Sequence, residues 1–436
     1  MKQSLLRTFC RYVSLNVLGM VSLSCYILAD TFFIAQKLGV QGLAALNLSI
    51  PVYSMIHGMG LMIAIGGATR FSILHSQGSP KGANTVFSTA LRAGLAISLL
   101  FVLLGLLGSG YLAELLGADE STLPMTKTYL ATILVSAPFF ITYNVALAFV
   151  RNDNGPNLAM IAMLVGSFSN ILLDYVFMYP LDMGMFGAAL ATCLAPIISL
   201  SLLSPHFAKQ KDKLGMFRDK LAWSLLPDIC ALGSSALIVE LSSAVVMITF
   251  NLVILALQGN TGVAAYGIVA NLGLVGVAVF TGLAQGAQPL ASRLYGVKSI
   301  QLTERVREYA LRTAIVLAVI IYLGVLGYSE RIVALFNSEG NYEIAHMAVE
   351  GLRIYFLGFF FLAINVVEAT YLSATEKPQD AFLISIGRGI LIIVPLVLIL
   401  SRIWNMTGVW LAFVLTESTV TSLTVAAKRR RAKLSA

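Results

Sequence analysis

The hydrophobic pattern of the chain consists of apolar stretches of about 20 residues, separated by short polar or Gly/Pro-containing segments. An α-helix of that length spans the hydrocarbon core of a bilayer. The pattern therefore predicts an all-α integral membrane protein with twelve transmembrane helices. The predicted spans cover residues 12–35, 44–74, 86–108, 127–150, 158–180, 185–205, 229–257, 264–293, 309–328, 348–373, 381–401 and 407–427.

The amino-acid composition also indicates a membrane protein. Charged residues make up 11% of the chain and hydrophobic residues 58%, whereas soluble domains carry roughly 25% charged residues. Such a surface cannot face water over its whole extent. The solvent around most of the chain is therefore expected to be lipid.

One polar segment, from His206 to Lys220, interrupts the apolar pattern more strongly than any other. We take it as the boundary between two groups of six spans. The predicted organisation is an N-terminal six-helix lobe (residues 1–205), a cytoplasmic linker (206–225) and a C-terminal six-helix lobe (226–436).

The two groups also resemble each other in sequence at an offset of 219 to 221 residues, as expected for an internal duplication. Examples are Gly42 with Gly262, and Asn144 with Asn365. Because six is even, both copies start on the same side of the membrane. The lobes are therefore expected to be parallel bundles related by a pseudo-two-fold axis along the membrane normal.

Positive charges are concentrated in alternate loops. By the predicted topology, 24 of the 29 Lys and Arg residues fall on one side, which the positive-inside rule assigns to the cytoplasm. We therefore expect a multi-pass protein of the plasma membrane with both termini cytoplasmic and the first span retained. The net charge of +8 then reflects membrane orientation, so no nucleic-acid partner is expected.

Ionisable side chains inside the spans are the main candidates for chemistry, because each costs roughly 2.5 to 3.5 kcal/mol at the bilayer centre. The five acidic candidates are Asp30, Asp174, Glu240, Glu368 and Glu417.

The depth of each residue follows from the rise of the helix and the direction of its span. Asp30, Asp174, Asn170 and Thr192 are expected to meet in the outer half of the first lobe. Asn144 joins them only if its span boundary shifts by a few residues or its side chain reaches outward. Two neighbouring carboxylates with neutral oxygens can hold a proton or a sodium ion, so the sequence predicts an ion-coupling site here.

The sodium alternative uses Asp30, Asn170 and Asp174 as ligands, and the residues do not choose between the two ions. A simpler alternative is that both aspartates lie at the outer interface and are hydrated. Either way, no tightly bound cofactor is expected.

The other acids have separate interpretations. Glu240, near mid-depth, can bind the charge of a cationic substrate or make a structural hydrogen bond between helices. Glu417 is expected to pair with Arg388, and Glu368 remains without an assignment. His57, inside the second span, is interpreted as a packed neutral histidine.

No nucleotide-binding loop or catalytic motif occurs in the sequence, so the chain is not expected to be an enzyme. The energy for transport is then expected to come from an ion gradient. The four cysteines lack the spacing of a zinc site or a disulfide framework.

Several segments resemble the multidrug and toxic compound extrusion (MATE) transporters over almost the whole chain. The segments are residues 29–34 (ADTFFI), 150–156 (VRNDNGP), 170–174 (NILLD), 265–269 (AYGIV) and 282–289 (GLAQGAQP).

The resemblance implies two six-helix lobes around a cavity and export of cationic or amphipathic small molecules against inward proton or sodium flow. It also implies an ion site at positions matching Asp30, Asp174, Asn170 and Thr192, with a weaker match at Asn144, and a seventh-helix glutamate matching Glu240. The expected protein is a monomeric antiporter whose partners are its substrate and lipid. A lipid-linked oligosaccharide flippase of the same superfamily is the alternative.

Overall fold

The computed structural model describes residues 2–209, 222–336 and 341–434, and its regular elements in these residues are all helices. Most of the predicted linker, residues 210–221, lies outside the described residues. Its first residues, 206–209, belong to a helix. The helices are α1 (Lys2–Ser76), α2 (Pro80–Leu115), α3 (Leu123–Val135), α4 (Ala137–Asn152), α5 (Pro156–Met178), α6 (Gly184–Lys209), α7 (Leu226–Gly296), α8 (Ile300–Phe336), α9 (Tyr342–Tyr355), α10 (Gly358–Ala374), α11 (Pro378–Ile386) and α12 (Ile393–Leu434), with a 3₁₀ turn at Trp223–Leu225 and a π-helix at Gly387–Leu391.

Three of these helices contain an internal break at which the backbone leaves the helical region. Gly39 in α1 has φ 63° and ψ −153°, and Gly259 in α7 has φ 60° and ψ −153°. In α12 the break lies at Trp404 and Asn405. The identical geometry of Gly39 and Gly259, 220 positions apart, repeats the internal duplication in the backbone. Both conformations are accessible essentially to glycine alone.

The chain reverses direction at these breaks. Residues eight positions apart lie about 12 Å apart along a continuous helix. A Cβ atom at Gly42 would nonetheless lie 3.3 Å from Ile34 Cγ2, and one at Gly262 would lie 2.8 Å from Ile254 Cγ2. Gly408 in α12 approaches the preceding arm in the same way. Each long helix is therefore two antiparallel arms, and the glycine after each reversal lets them approach closely.

The number of spans follows from these reversals. By length and apolarity, the described residues hold seven candidate membrane-spanning helices, or nine when each of two bent pairs counts as one span. Those pairs are α3 with α4, bent by 49°, and α9 with α10, bent by 47°. Dividing α1, α7 and α12 at their reversals raises the number of candidate spans from nine to twelve.

The all-α membrane fold is confirmed, and each of the twelve predicted spans lies along one of these arms or bent pairs, which extend beyond the predicted ends by up to ten residues. The hydrophobic pattern did not indicate the two bends or the π-helix. At the first bend, Pro138 sits in the first turn of α4, where a proline begins a helix readily but cannot continue the preceding one.

The described residues form two halves, residues 2–209 and 222–434, with separate hydrophobic cores. The halves meet mainly along α1 and α7. The core of the second half also contains Phe9 and Val13, from the start of α1. In the other direction, Ile229 of α7 lies in the core of the first half.

The bundle has two ends that are used as reference points below. The terminal end is where α1 begins and ends and where α7 begins and ends, as the close approach of Gly296 to Ser76 indicates. The turn end contains Gly39 and Gly259.

The reversals generate a stability prediction. Gly39→Ala and Gly259→Ala should each destabilise the protein by about 1 to 3 kcal/mol, because alanine is strained in this backbone conformation. Space is not the cause, since nothing lies within 4 Å of a Cβ at either position. The measurement is the apparent melting temperature of the purified protein in detergent.

Gly267→Ala is the matched control. Gly267 also has open space around its Cβ position but no positive φ, so alanine there should leave the melting temperature unchanged or raise it slightly. Equal losses at all three positions would contradict the backbone explanation.

Candidate functional site

The five intramembrane acids separate into groups by their partners. Glu417 is buried and accepts hydrogen bonds from Arg388 Nη2 at 2.7 Å and from Arg388 Nε at 3.0 Å. Asn365 Nδ2 donates to its second oxygen at 2.7 Å. The predicted pair of Glu417 with Arg388 is therefore confirmed, and its charge is used within the second half.

Glu368 is also paired. Its carboxylate accepts hydrogen bonds from Nε and Nη2 of Arg307 in α8, and Arg307 Nη1 contacts Glu304 at 3.0 Å. Tyr371 donates a hydrogen bond to Glu304 at 2.9 Å. A bidentate arginine of this kind satisfies a buried carboxylate, so Glu368 belongs to a structural ion-pair network.

Asp30 and Asp174 differ from these two acids. Asp30 lies in the first arm of α1, nine residues before the reversal, and its side chain is 7% exposed. Asp174 lies in α5 and is fully buried. No positively charged partner reaches either carboxylate from the residues that the structure describes.

Buried polar atoms of the two aspartates and of two further residues in the first half are unsatisfied. Asn170 lies one turn before Asp174 in α5 and is fully buried, and Thr192 in α6 is 6% exposed. Within the described part of the chain, six buried atoms of these four residues lack a hydrogen-bond partner. They are Asp30 Oδ1, both carboxylate oxygens of Asp174, both amide atoms of Asn170, and Thr192 Oγ1. Buried polar groups are normally hydrogen-bonded, so this cluster requires an explanation.

The negative charge of Asp30 repels that of Asp174, so the two carboxylates lie within electrostatic range of each other. Tyr26 and Tyr129 each interact with both acids. Sequence reasoning missed these two tyrosines. Tyr26 precedes Asp30 by four residues, which puts both on one helix face, and this spacing could have identified it.

Asn144 faces a different neighbour. Its Nδ2 atom lies 3.2 Å from His57 Nδ1 in the second arm of α1. His57 in turn stacks on Tyr53, with ring centroids 5.8 Å apart. An amide nitrogen is a donor only, so this contact requires Nδ1 of His57 to accept. The participation of Asn144 in ion coupling stays a prediction.

Glu240 lies in the first arm of α7, at the boundary between the halves. A Cβ at Gly58 of α1 would lie 3.1 Å from Glu240 Cβ, and Tyr53 interacts with the glutamate electrostatically. The side chain is half-buried. No ion pair reaches its carboxylate from another described residue. A half-buried carboxylate without a counter-ion is available to a ligand cation.

The repeat shows how the second half differs at the positions that correspond to the aspartate cluster. At offsets of 220 and 221 residues, the counterparts of Asp30 and Thr192 are Phe250 and Phe413. Phe250 stacks on Tyr266 at 5.5 Å and Phe413 on Tyr355 at 4.0 Å. The counterparts of Asn170 and Asp174 are Leu391 and Pro395. Apolar side chains thus take the place of the polar cluster.

The arrangement in the first half suits a proton or a hard cation. Carboxylate, amide and hydroxyl oxygens are ligands for ions such as sodium, and a shared proton relieves two carboxylates equally well. An ion taken up here would be cargo. Two repeated helical halves, with buried acids that the protein leaves unpaired, define a multi-pass membrane transporter.

The chain belongs to the MatE family, whose profile matches residues 17–176 and 236–423. Among known relatives, the multidrug export protein MepA of Staphylococcus aureus is 26% identical over 396 residues, which cover 90% of this chain and 86% of that protein. MepA of Staphylococcus saprophyticus is 23% identical over 96% of this chain and 92% of its own length.

Solved structures support the same fold. An outward-facing multidrug resistance MATE transporter of the MOP superfamily superposes with a TM-score of 0.91 at 21% identity, covering 97% of this chain and 95% of the other. A MATE transporter of Vibrio cholerae superposes with a TM-score of 0.90 at 21% identity, covering 99% and 98%.

Charge-neutralising substitutions should separate the two kinds of acid. Glu417→Gln should destabilise the protein by about 3 kcal/mol, because it leaves the buried Arg388 without a counter-charge. Asp174→Asn should leave stability unchanged or raise it, since it removes a charge that has no protein partner. The apparent melting temperatures of the two variants, measured in the same detergent and pH, test this contrast.

The control is a double variant, Glu417→Gln with Arg388→Met, which removes the orphaned cation and should recover most of the loss. Equal destabilisation by Asp174→Asn and Glu417→Gln would show that Asp174 is a structural residue.

Proposed function

We propose that this protein is a cation-coupled antiporter that exports cationic or amphipathic small molecules in exchange for an incoming proton or sodium ion. The observation that carries the proposal is the group of six unpartnered polar atoms on Asp30, Asn170, Asp174 and Thr192. In hydrocarbon, such a group is costly unless something binds to it. A transported ion supplies the missing partner during part of each cycle.

Ion binding at this site provides a two-state element. With the site empty, two carboxylates repel each other in a low dielectric, and with an ion bound the repulsion is removed. The helices that carry the acids, α1 and α5, then have different preferred positions in the two states. An ion gradient biases the equilibrium between them, which is the requirement for coupled exchange.

Glu240 is proposed as the group that binds the positive charge of the substrate. Its position close to Gly58, at the boundary between the halves, gives a half-buried carboxylate within electrostatic range of Tyr53. That combination favours organic cations over anions. The names of the staphylococcal relatives, multidrug export proteins, support the same substrate class.

The remaining parts of the proposal concern the setting. The protein is proposed to act as a monomer in the plasma membrane, with both termini in the cytoplasm and with no cofactor. The terminal end of the bundle would then face the cytoplasm and the turn end the outside.

Transport is tested in everted membrane vesicles with ethidium as the fluorescent cation. An imposed proton or sodium gradient should drive ethidium movement in the unaltered protein, and the ion that drives it is the coupling ion. Asp30→Asn should lower this movement at least tenfold, because it removes one of the two carboxylates that hold the ion.

Asp182→Asn is the control, since Asp182 is an exposed loop aspartate and its one ion pair with a described residue is with Lys37 at 2.8 Å. It should transport ethidium at the normal rate. Full gradient-driven transport by the folded Asp30→Asn variant would remove Asp30 from the mechanism.

Substrate binding is tested separately with Glu240→Gln. The variant should bind ethidium at least tenfold more weakly, as measured by ethidium fluorescence polarisation on purified protein. Its thermal stabilisation by the coupling ion should stay normal, because the aspartate cluster is intact. Loss of the ion response together with normal ethidium binding would reverse the roles assigned to Glu240 and the aspartates.

A further inference from the structure

The two halves touch along a narrow seam at the terminal end of the bundle. A Cβ at Gly66 of α1 would lie 1.9 Å from the Ile229 carbonyl oxygen of α7, and one at Gly233 would lie 1.9 Å from the Met62 carbonyl oxygen. A Cβ at Gly296 would overlap Ser76 Oγ at 2.0 Å. Backbone lies directly against backbone here, so the halves are in direct contact at these positions.

On the other side of the seam, the second arm of α7 lies against the first arm of α1. A Cβ at Gly282 would lie 2.7 Å from Val17 Cα, and one at Gly286 would lie 2.8 Å from Val13 Cα. Asn16 donates a hydrogen bond to the Gly282 carbonyl at 2.8 Å.

Two segments that carried the family resemblance meet at this seam. From the first half, Arg151 donates to Gln285 Oε1 at 3.0 Å, and Asn152 donates to Gln288 Oε1 at 3.2 Å. Gln288 donates in turn to Thr69 Oγ1 at 2.8 Å. These residues therefore connect the halves by hydrogen bonds, a role that the ion site and the substrate site do not explain.

Charged contacts at the seam centre on one residue. Arg70, near the end of α1, donates to Asp228 Oδ2 at 2.5 Å and also to Glu376, and both acids belong to the second half. Of the ion pairs that join two described residues, these two cross between the halves, and the others stay within one half.

We propose that the seam is a reversible gate, and that Arg70 holds it shut by binding Asp228 and Glu376 of the opposite half. Glycine contacts and amide hydrogen bonds give the seam its shape, while the arginine adds an attraction that depends on one cation and two anions. When the halves rock apart at this end, Arg70 must release both acids. The strength of this contact then sets how often the terminal end opens.

The test uses spin-label distances in the full-length protein, in lipid nanodiscs without substrate or ion gradient, after replacement of the four native cysteines. Labels at Gln77 and Val297 report on the terminal end, because both are exposed and flank the contact of Ser76 with Gly296. Labels at Val40 and Asn260, both exposed, report on the turn end.

Arg70→Gln should increase the ratio of the long to the short Gln77–Val297 distance by at least about threefold, since two partly exposed ion pairs are lost. The Val40–Asn260 distance should shorten in the same samples. The double variant Asp228→Asn with Glu376→Gln keeps the arginine and removes its partners, and should give the same shift. Combining all three substitutions should add little, because the same contacts are already lost.

Lys37→Gln is the matched control, since it breaks the pair of Lys37 with Asp182 within one half and should leave both distances unchanged. The Lys37 ammonium lowers the pKa of Asp182 by hydrogen bonding and attraction, so Asp182 is charged at neutral pH. Unchanged Gln77–Val297 distances in both the Arg70 variant and the double acid variant would overturn the proposal. So would simultaneous lengthening at both ends, which indicates separation of the halves.

The experiment contains no gradient and no substrate. Its outcome therefore stands whether or not ethidium transport is found, and failure of the gate can be distinguished from failure of the antiport proposal.

Discussion

The inability of hydrocarbon to solvate charge governs the rest of this structure. Every ionisable group inside the spans needs a partner supplied by the chain or by something that the chain binds. Glu417 and Glu368 have arginine partners in the second half. Asp30 and Asp174 have none among the described residues. The same constraint that makes the first two acids structural is the basis for the proposal that the other two bind a mobile ion.

The two halves share one backbone scaffold, as expected for an internal duplication, but differ in the side chains at corresponding buried positions. Gly39 and Gly259 keep the same reversal to within a few degrees, so the backbone frame is conserved between the halves. The contents differ. Aromatic rings at Phe250 and Phe413 fill positions that correspond to Asp30 and Thr192. The proposed ion site therefore lies in one half, and these two corresponding positions of the other half are packed with apolar side chains.

The sequence allowed the membrane fold to be predicted because hydropathy depends on local composition, and each predicted span lies along one helical arm or bent pair. The helices extend beyond the apolar stretches by up to ten residues, because their polar ends do not contribute to the hydropathy signal. The sequence also indicated that Asp30 and Asp174 lie at similar depth, because the depth of a residue follows from its position along its span. Local patterns could not predict which neighbour Asn144 would face. Its contact with His57 depends on how α4 rotates against α1, and hydropathy does not specify that rotation.

Contacts between distant segments were also beyond the sequence. Arg70 and Arg307 each make specific ion pairs with residues far away in the chain, which the distribution of positive charge along the sequence does not indicate. Likewise, Arg151 and Gln288 marked a family resemblance without a physical role until the two halves were seen together. Pairing over such separations is a property of the packed bundle and leaves no periodic signal.

The first arm of α1 belongs to both halves, and this has a mechanical consequence. Near its start, Phe9 and Val13 are embedded in the core of the second half, whereas Asp30 lies buried in the first. Asn16 and Asp30, 14 positions apart, lie about 21 Å apart along the helix axis. A tilt of about 5° around the anchored end would move the carboxylate by about 2 Å, which is comparable to the difference between a bound and a broken hydrogen bond. The first arm of α1 thus connects the core of the second half mechanically to the Asp30 carboxylate in the first half.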